Sequence, residues 1–275
     1  GVEFEQACSA DWFRRDPGLG WAFWDFCREV SRAHPASDAM RSLSRSARNL
    51  PRGACLITSA WDGSWKAAGW EGKLVELHGS LHSWQCSQPE SCNLDVWSAP
   101  EESSSCEEAK ERPQDASGNS PACPACGAAA RPNVQMYHGD YAFSKRRFRA
   151  QMAAYNEWLR SLASADKPGE VQLVCLEVEC GLAVPTLRRE VESVMRQFPS
   201  ARLIRISTEN TEILKSLAER SVALPFAAEA SLRAIQARQY RHWQERVATF
   251  VLWDEEGGGA EVLQPREASV RSVLR

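Results

Sequence analysis

The sequence contains no apolar run approaching the roughly 20 residues that a membrane-spanning helix requires, so no membrane partner is expected. It has no surplus of basic charge: 33 Lys and Arg stand against 36 Asp and Glu, a formal net charge of -3. Such a chain offers no electrostatic footprint for a polyanion, and no nucleic-acid partner is expected. No internal repeat is visible, which excludes solenoid and propeller arrays. The first residues lack the charged-then-apolar pattern of a secretory leader, and the chain is expected inside a cell, in the cytoplasm or nucleus.

What is there suits a globular protein. The 275 residues are 43% hydrophobic and 25% charged, enough for one or two domains with a real core. A chain of this length needs no disulfide staples, so its ten cysteines divide by context. Cys8, Cys27, Cys55 and Cys175 sit among apolar neighbours and read as core thiols. Cys123-Pro124-Ala125-Cys126 followed by Gly127 reads as half of a zinc site, because the tight turn aims both sulfurs at one ion. Cys86 and Cys92 supply the other half across a wider loop, with Cys106 as a competing fourth ligand. Four thiolates leave no open coordination position, so the expected zinc is structural.

Apolar periodicity predicts a helical layer over residues 12–30, broken at Asp16-Pro17-Gly18, and a helix over 37–49. Residues 54–58 read as a buried strand and 73–77 as a second strand that delivers His78 at its carboxyl end. Residues 98–121 are rich in Ser, Glu, Pro and Gly and read as a flexible insertion in a small zinc-binding module, residues 81–129. After a helix carrying Phe148, Met152, Tyr155, Leu159 and Leu162 come a strand over 171–178, a helix over 187–198 and a strand over 201–206. That order is a βαβ unit, and the fold class is α/β with a parallel sheet, assigned to residues 1–80 and 130–240. A helix from Thr211, a strand over 221–224 and a helix over 231–246 continue the alternation. In the extension 241–275, residues 248–253 and 261–264 read as a hairpin appended at the sheet edge, without a role.

Several segments together resemble the sirtuin family of NAD-dependent protein deacylases. They are Thr58-Ser59-Ala60-Trp61-Asp62-Gly63, Ala68-Gly69, Glu76-Leu77-His78-Gly79-Ser80, the cysteine pairs, Arg131-Pro132-Asn133 and residues 177–185. The likeness spans about residues 10–235 and is that of a divergent member, incomplete at its N-terminus. It implies a Rossmann-like domain, a small zinc domain, and NAD with an acylated protein lysine in the cleft between them. His78 is then the general base, since imidazole accepts a proton near neutrality. Thr58, Ser59, Asp62 and Gly181 are what remains of the cofactor site, and Cys86, Cys92, Cys123 and Cys126 are the zinc ligands.

The chain also departs from the family pattern. Ala60 stands where the family carries an asparagine, and alanine has no donor or acceptor to replace it. Glu179 stands at the first glycine of a Gly-Ala-Gly loop, bringing an anion towards the pyrophosphate, and Ser207 replaces another asparagine. The family's opening strand, its phosphate loop and its Pro-x-Phe-Arg segment have no counterpart before residue 1. A sheet short of its first strand, with an unpaired neighbour, is therefore expected. Three readings stay open: the deacylase, a catalytically silent protein-binding module on the same fold, and an NAD hydrolase or ADP-ribosyltransferase.

Overall fold

The computed structural model describes residues 3–93, 95–100, 120–164, 172–239 and 247–253. Local signals start and stop its helices. Two short ones, α1 (Phe4–Ala7) and α2 (Trp12–Arg15), precede α3 (Pro17–Ala33). The Asp16 carboxylate accepts the Leu19 N–H and Pro17 occupies the first turn, where its missing N–H costs nothing. The next helix, α4 (Asp38–Arg48), is capped by the Ser37 hydroxyl, which accepts from the Met40 N–H. There follow β1 (Ala54–Thr58), α5 (Ser64–Ala67), β2 (Lys73–Glu76), β3 (Gly79–Cys86), β4 (Trp97–Ser98), β5 (Ala130–Val134) and α6 (Arg146–Ser164). The chain continues with β6 (Gln172–Val178), α7 (Thr186–Gln197), β7 (Arg202–Ile206), β8 (Ser221–Leu224), α8 (Ala228–Gln239) and β9 (Val247–Trp253). The helix expected from Thr211 is replaced by a 3-10 helix at Lys215–Arg220, directly before β8. Among the described residues, no helix is long and apolar enough to cross a membrane.

The described residues fall into two compact units. One lies within Ala36–Ala60, Ser64–Leu77 and Gln151–Arg275 and contains a six-stranded sheet in the order β2-β1-β9-β6-β7-β8. Every neighbouring pair in it is parallel. Its strands β1 and β7, and residues 173–178 of β6, are buried on both faces apart from the half-buried Arg202. One face packs Leu56, Val174, Leu176, Ile204 and Ile206 with Met40, Leu43, Trp65 and Leu232. The alternate residues Cys55, Ile57, Leu173, Cys175 and Leu203 point the other way and are buried too.

The C-terminal strand corrects two expectations. β9 is no arm of an edge hairpin: it is central, pairing β1 from Ala54↔Thr249 to Thr58↔Trp253 and β6 from Gln172↔Val247 to Val178↔Trp253. Nor do β1 and β6 face an empty slot, because β9 fills it. A seven-residue run free of Pro, Gly and charge can satisfy hydrogen bonds on both sides, which an edge position would waste. Residues 261–264, the other expected arm, lie outside the described residues, as do 101–119 of the insertion, with Cys106.

The second unit lies within Gly1–Pro35, Trp61–Gly63 and His78–Ala150 and contains a three-stranded antiparallel sheet, β4-β3-β5, that sequence reading did not foresee. The first 35 residues group here and not with the parallel sheet. Trp21 donates its indole N–H to the Ala130 carbonyl at 2.9 Å and meets Trp84 edge-on at 4.9 Å. Cys8, Phe13, Trp24, Leu81, Val134 and Met136 complete the cluster. Arg131 and Asp140, both buried, close its base as a bidentate ion pair with nitrogen to oxygen distances of 2.8 and 2.5 Å.

Candidate functional site

In a parallel sheet all carboxyl ends lie on one edge, so residues distant in sequence meet there. In the sheet unit that edge carries Ser59 after β1, Glu179 after β6 and Ser207 after β7. Thr58 is buried and its hydroxyl accepts the Ala60 N–H at 3.1 Å, turning the chain sharply as it leaves β1. Ser59 and Ala60 are half-buried beyond it, and Ala60 offers only its backbone. Gly181 stands open, since a Cβ built there would meet no atom within 4 Å. The left-handed backbone of this loop falls instead on Glu179, at φ 49°.

Beneath the edge lies a charged network that sequence reading missed. Glu177 on β6 and Arg205 on β7 pair through two hydrogen bonds of 2.6 and 2.9 Å. Arg188 on α7 comes within 3.5 Å of the same carboxylate and donates to the carbonyls of Cys180 and Asn210. Arg205 also donates to the Glu212 carbonyl. The two guanidinium groups thereby tie both loops of the edge, 179–185 and 207–214, to the sheet. Burial and the neighbouring Arg205 lower the Arg188 pKa. The available signal was Glu177 and Arg205, charges set inside largely apolar strands, since such charges are almost always paired.

Glu179 itself is half-buried. Burial raises its pKa, outweighing the lowering influence of the neighbouring Thr208, Ser207 and Ala228. Ser207 is locked in turn, its hydroxyl oxygen accepting from the N–H groups of Glu209 and Asn210 at 3.4 and 3.2 Å.

The cysteine unit holds the remaining candidates. His78 is half-buried in the two-residue turn between β2 and β3, and its carbonyl accepts the Gln135 N–H at 2.8 Å. Gly79 completes that turn at φ 83°, where any Cβ would collide with the Asn133 carbonyl. Asp62 belongs to this unit although Thr58 and Ser59 belong to the other. Its carbonyl accepts from the Ser31 hydroxyl at 3.1 Å and lies 3.1 Å from Nε2 of His82.

The cysteines converge as their spacing suggested. The Sγ atoms of Cys86, Cys92, Cys123 and Cys126 all lie within 4.8 Å of one another. Cys86 and Cys126 are 3.6 Å apart, and Cys92 and Cys123 are 3.7 Å apart. A tetrahedron with metal to sulfur bonds of about 2.3 Å has edges of about 3.8 Å, so the four thiols fit such an ion. The left-handed Gly127, at φ 73°, donates its N–H to the Cys123 carbonyl at 2.9 Å and closes the knuckle.

Compared with known proteins, residues 2–159 match the model of the Sir2 family. No curated protein matches the chain.

Proposed function

Because the chain belongs to the Sir2 family, whose model spans residues 2–159 of the 275, we propose that it is an NAD-dependent protein-lysine deacylase. The six-stranded order β2-β1-β9-β6-β7-β8 supports a Rossmann-like reading, with the nucleotide at the carboxyl edge beside Thr58, Ser59 and Gly181. The observation that carries the proposal is His78, half-buried beside the obligate Gly79 in the family's His-Gly motif. In the proposed reaction the acyl oxygen of a modified lysine attacks the anomeric carbon of the nicotinamide ribose. Nicotinamide leaves with the bonding pair, and His78 takes the proton from a ribose hydroxyl. Asp62, held through its carbonyl by Ser31, belongs to the same cofactor set.

Cys86, Cys92, Cys123 and Cys126 would hold a structural zinc ion. With four thiolate ligands it would supply no open site, and its part is to bring two loops of the small unit together.

Calorimetric titration with NAD, followed by assay of nicotinamide release from an acetyl-lysine peptide, tests the proposal. His78→Ala is expected to cut turnover by about 10²–10⁴. Failure of the chain to bind NAD at millimolar concentration would sink it. Ala60 favours a second reading, a catalytically silent protein-binding module on the same fold, because it has no side-chain group to orient ribose or water. NAD binding without any nicotinamide release would favour that reading.

A further inference from the structure

Trp61–Gly63 groups with the cysteine unit, although the residues on either side of it group with the sheet. The Leu81 N–H donates to the Trp61 carbonyl at 2.8 Å, and the Trp61 ring meets Trp24 edge-on at 5.5 Å. The Asp62 carbonyl is then gripped by two side chains, the Ser31 hydroxyl from α3 at 3.1 Å and Nε2 of His82 from β3 at 3.1 Å. A carbonyl oxygen can only accept, so Nε2 carries the proton and donates it.

His82 occupies the one exposed position of β3, every other residue of which is buried. Its ring lies across Gly63, where a built Cβ would collide with Cδ2 and Nε2. Gly63 also has φ 82°, so glycine there supplies both the left-handed backbone and the room for the imidazole. Glycine is the most conformationally free residue, and a link of that kind directly after Asp62 would leave the peptide between them loose. Because a peptide is planar, holding the Asp62 carbonyl fixes ψ of Asp62 and φ of Gly63 together.

We infer that His82 is a positioning residue for the cofactor set: it clamps the Asp62–Gly63 peptide and so holds Asp62 in the orientation that binds NAD. The inference rests on the NAD reading for the identity of the ligand. His82 sets affinity through Asp62 and takes no part in the chemistry, which stays with His78. A segment in its binding orientation for only a fraction of the time binds more weakly by that fraction.

The test compares the full chain with His82→Ala, which removes the donor, and His82→Gln, whose amide can donate in its place. Calorimetric titration is expected to show NAD bound about tenfold more weakly by His82→Ala, the worth of one hydrogen bond, and His82→Gln restored to within about threefold of the parent. Nicotinamide release at saturating NAD is expected to stay within about threefold in both variants, since uniform binding and not the chemical step is lost. The inference is overturned if His82→Ala binds NAD as the parent does, or if His82→Gln is impaired as fully as His82→Ala. A ligand-free readout comes from the amide resonance of Gly63 in chain labelled at glycine with heavy nitrogen, because that amide shares its peptide with the Asp62 carbonyl. The resonance is expected to move in His82→Ala and to hold in His82→Gln; an unmoved resonance in His82→Ala overturns the clamp whether or not NAD binds. That pattern of resonances with no NAD binding by any of the three proteins would sink the NAD reading and leave the clamp standing.

Discussion

Arg205 grips Glu177 with two of its nitrogens, Nε to Oε1 at 2.6 Å and Nη2 to Oε2 at 2.9 Å, and both side chains are almost completely buried, at 2% and 1% exposed. The pair joins β6 to β7 one residue short of the carboxyl edge, so the loops that follow start from a rigid base. With Arg188 at 3.5 Å, one carboxylate offsets two guanidinium groups.

Truncating that carboxylate leaves both buried cations without the anion they share. Glu177→Ala is expected to lose about 3–5 kcal/mol of stability in urea unfolding. A loss below about 1 kcal/mol would mean that water or the loop carbonyls already compensate Arg188 and Arg205.

Gly79 is required twice over, by its φ of 83° and by the Asn133 carbonyl that faces its missing Cβ. Gly79→Ala is expected to lower stability by roughly 3 kcal/mol. Because the strain sits beside His78, nicotinamide release is expected to fall with it. A variant with unchanged unfolding midpoint would show that the turn relaxes freely.

For the thiol cluster, metal analysis of the purified chain is expected to give about one zinc per molecule, and none in Cys123→Ser/Cys126→Ser. Chelation is expected to lower the unfolding temperature of the parent chain and leave that of the double variant unmoved. Zinc retained in full by the double variant would refute this ligand set.

Glu179 has a pKa raised above its ordinary 4.5, chiefly by burial. A carboxyl group raised on folding binds its proton more tightly in the folded chain. Its contribution to stability is therefore full below 4.5 and is lost as pH rises through the folded-state value. Glu179→Gln cannot ionise, so its stability relative to the parent is expected to improve between pH 4 and pH 7. Denaturant unfolding at several pH values reads the difference, and a constant gap would contradict it.

The elements were legible where their signals are local. Asp16-Pro17 and Ser37 mark helix starts, residues 54–58 read as a buried strand because the run is short, apolar and partly β-branched, and residues 201–206 read as a strand from the βαβ order. The cysteine cluster was legible because a knuckle and two further thiols leave few geometries for one ion. Glu177 and Arg205 could be recognised as needing partners, yet nothing in either strand says that they need each other. The small antiparallel sheet escaped because β4 has two residues and β3 shifts register between Ser80 and Trp84, leaving little strict alternation to read.

By itself, then, the sequence determined the class of fold, most of its elements, the four thiols and the His-Gly turn, all of which follow from neighbours within a few residues. Only the tertiary structure decided that Val247–Trp253 is the central strand between β1 and β6, because pairing on both sides depends on partners 75 and 195 residues away. It also decided that Ser59, Glu179 and Ser207 lie on one edge. They meet there only because β1, β6 and β7 run parallel within one sheet, and long-range pairing is what aligns those ends.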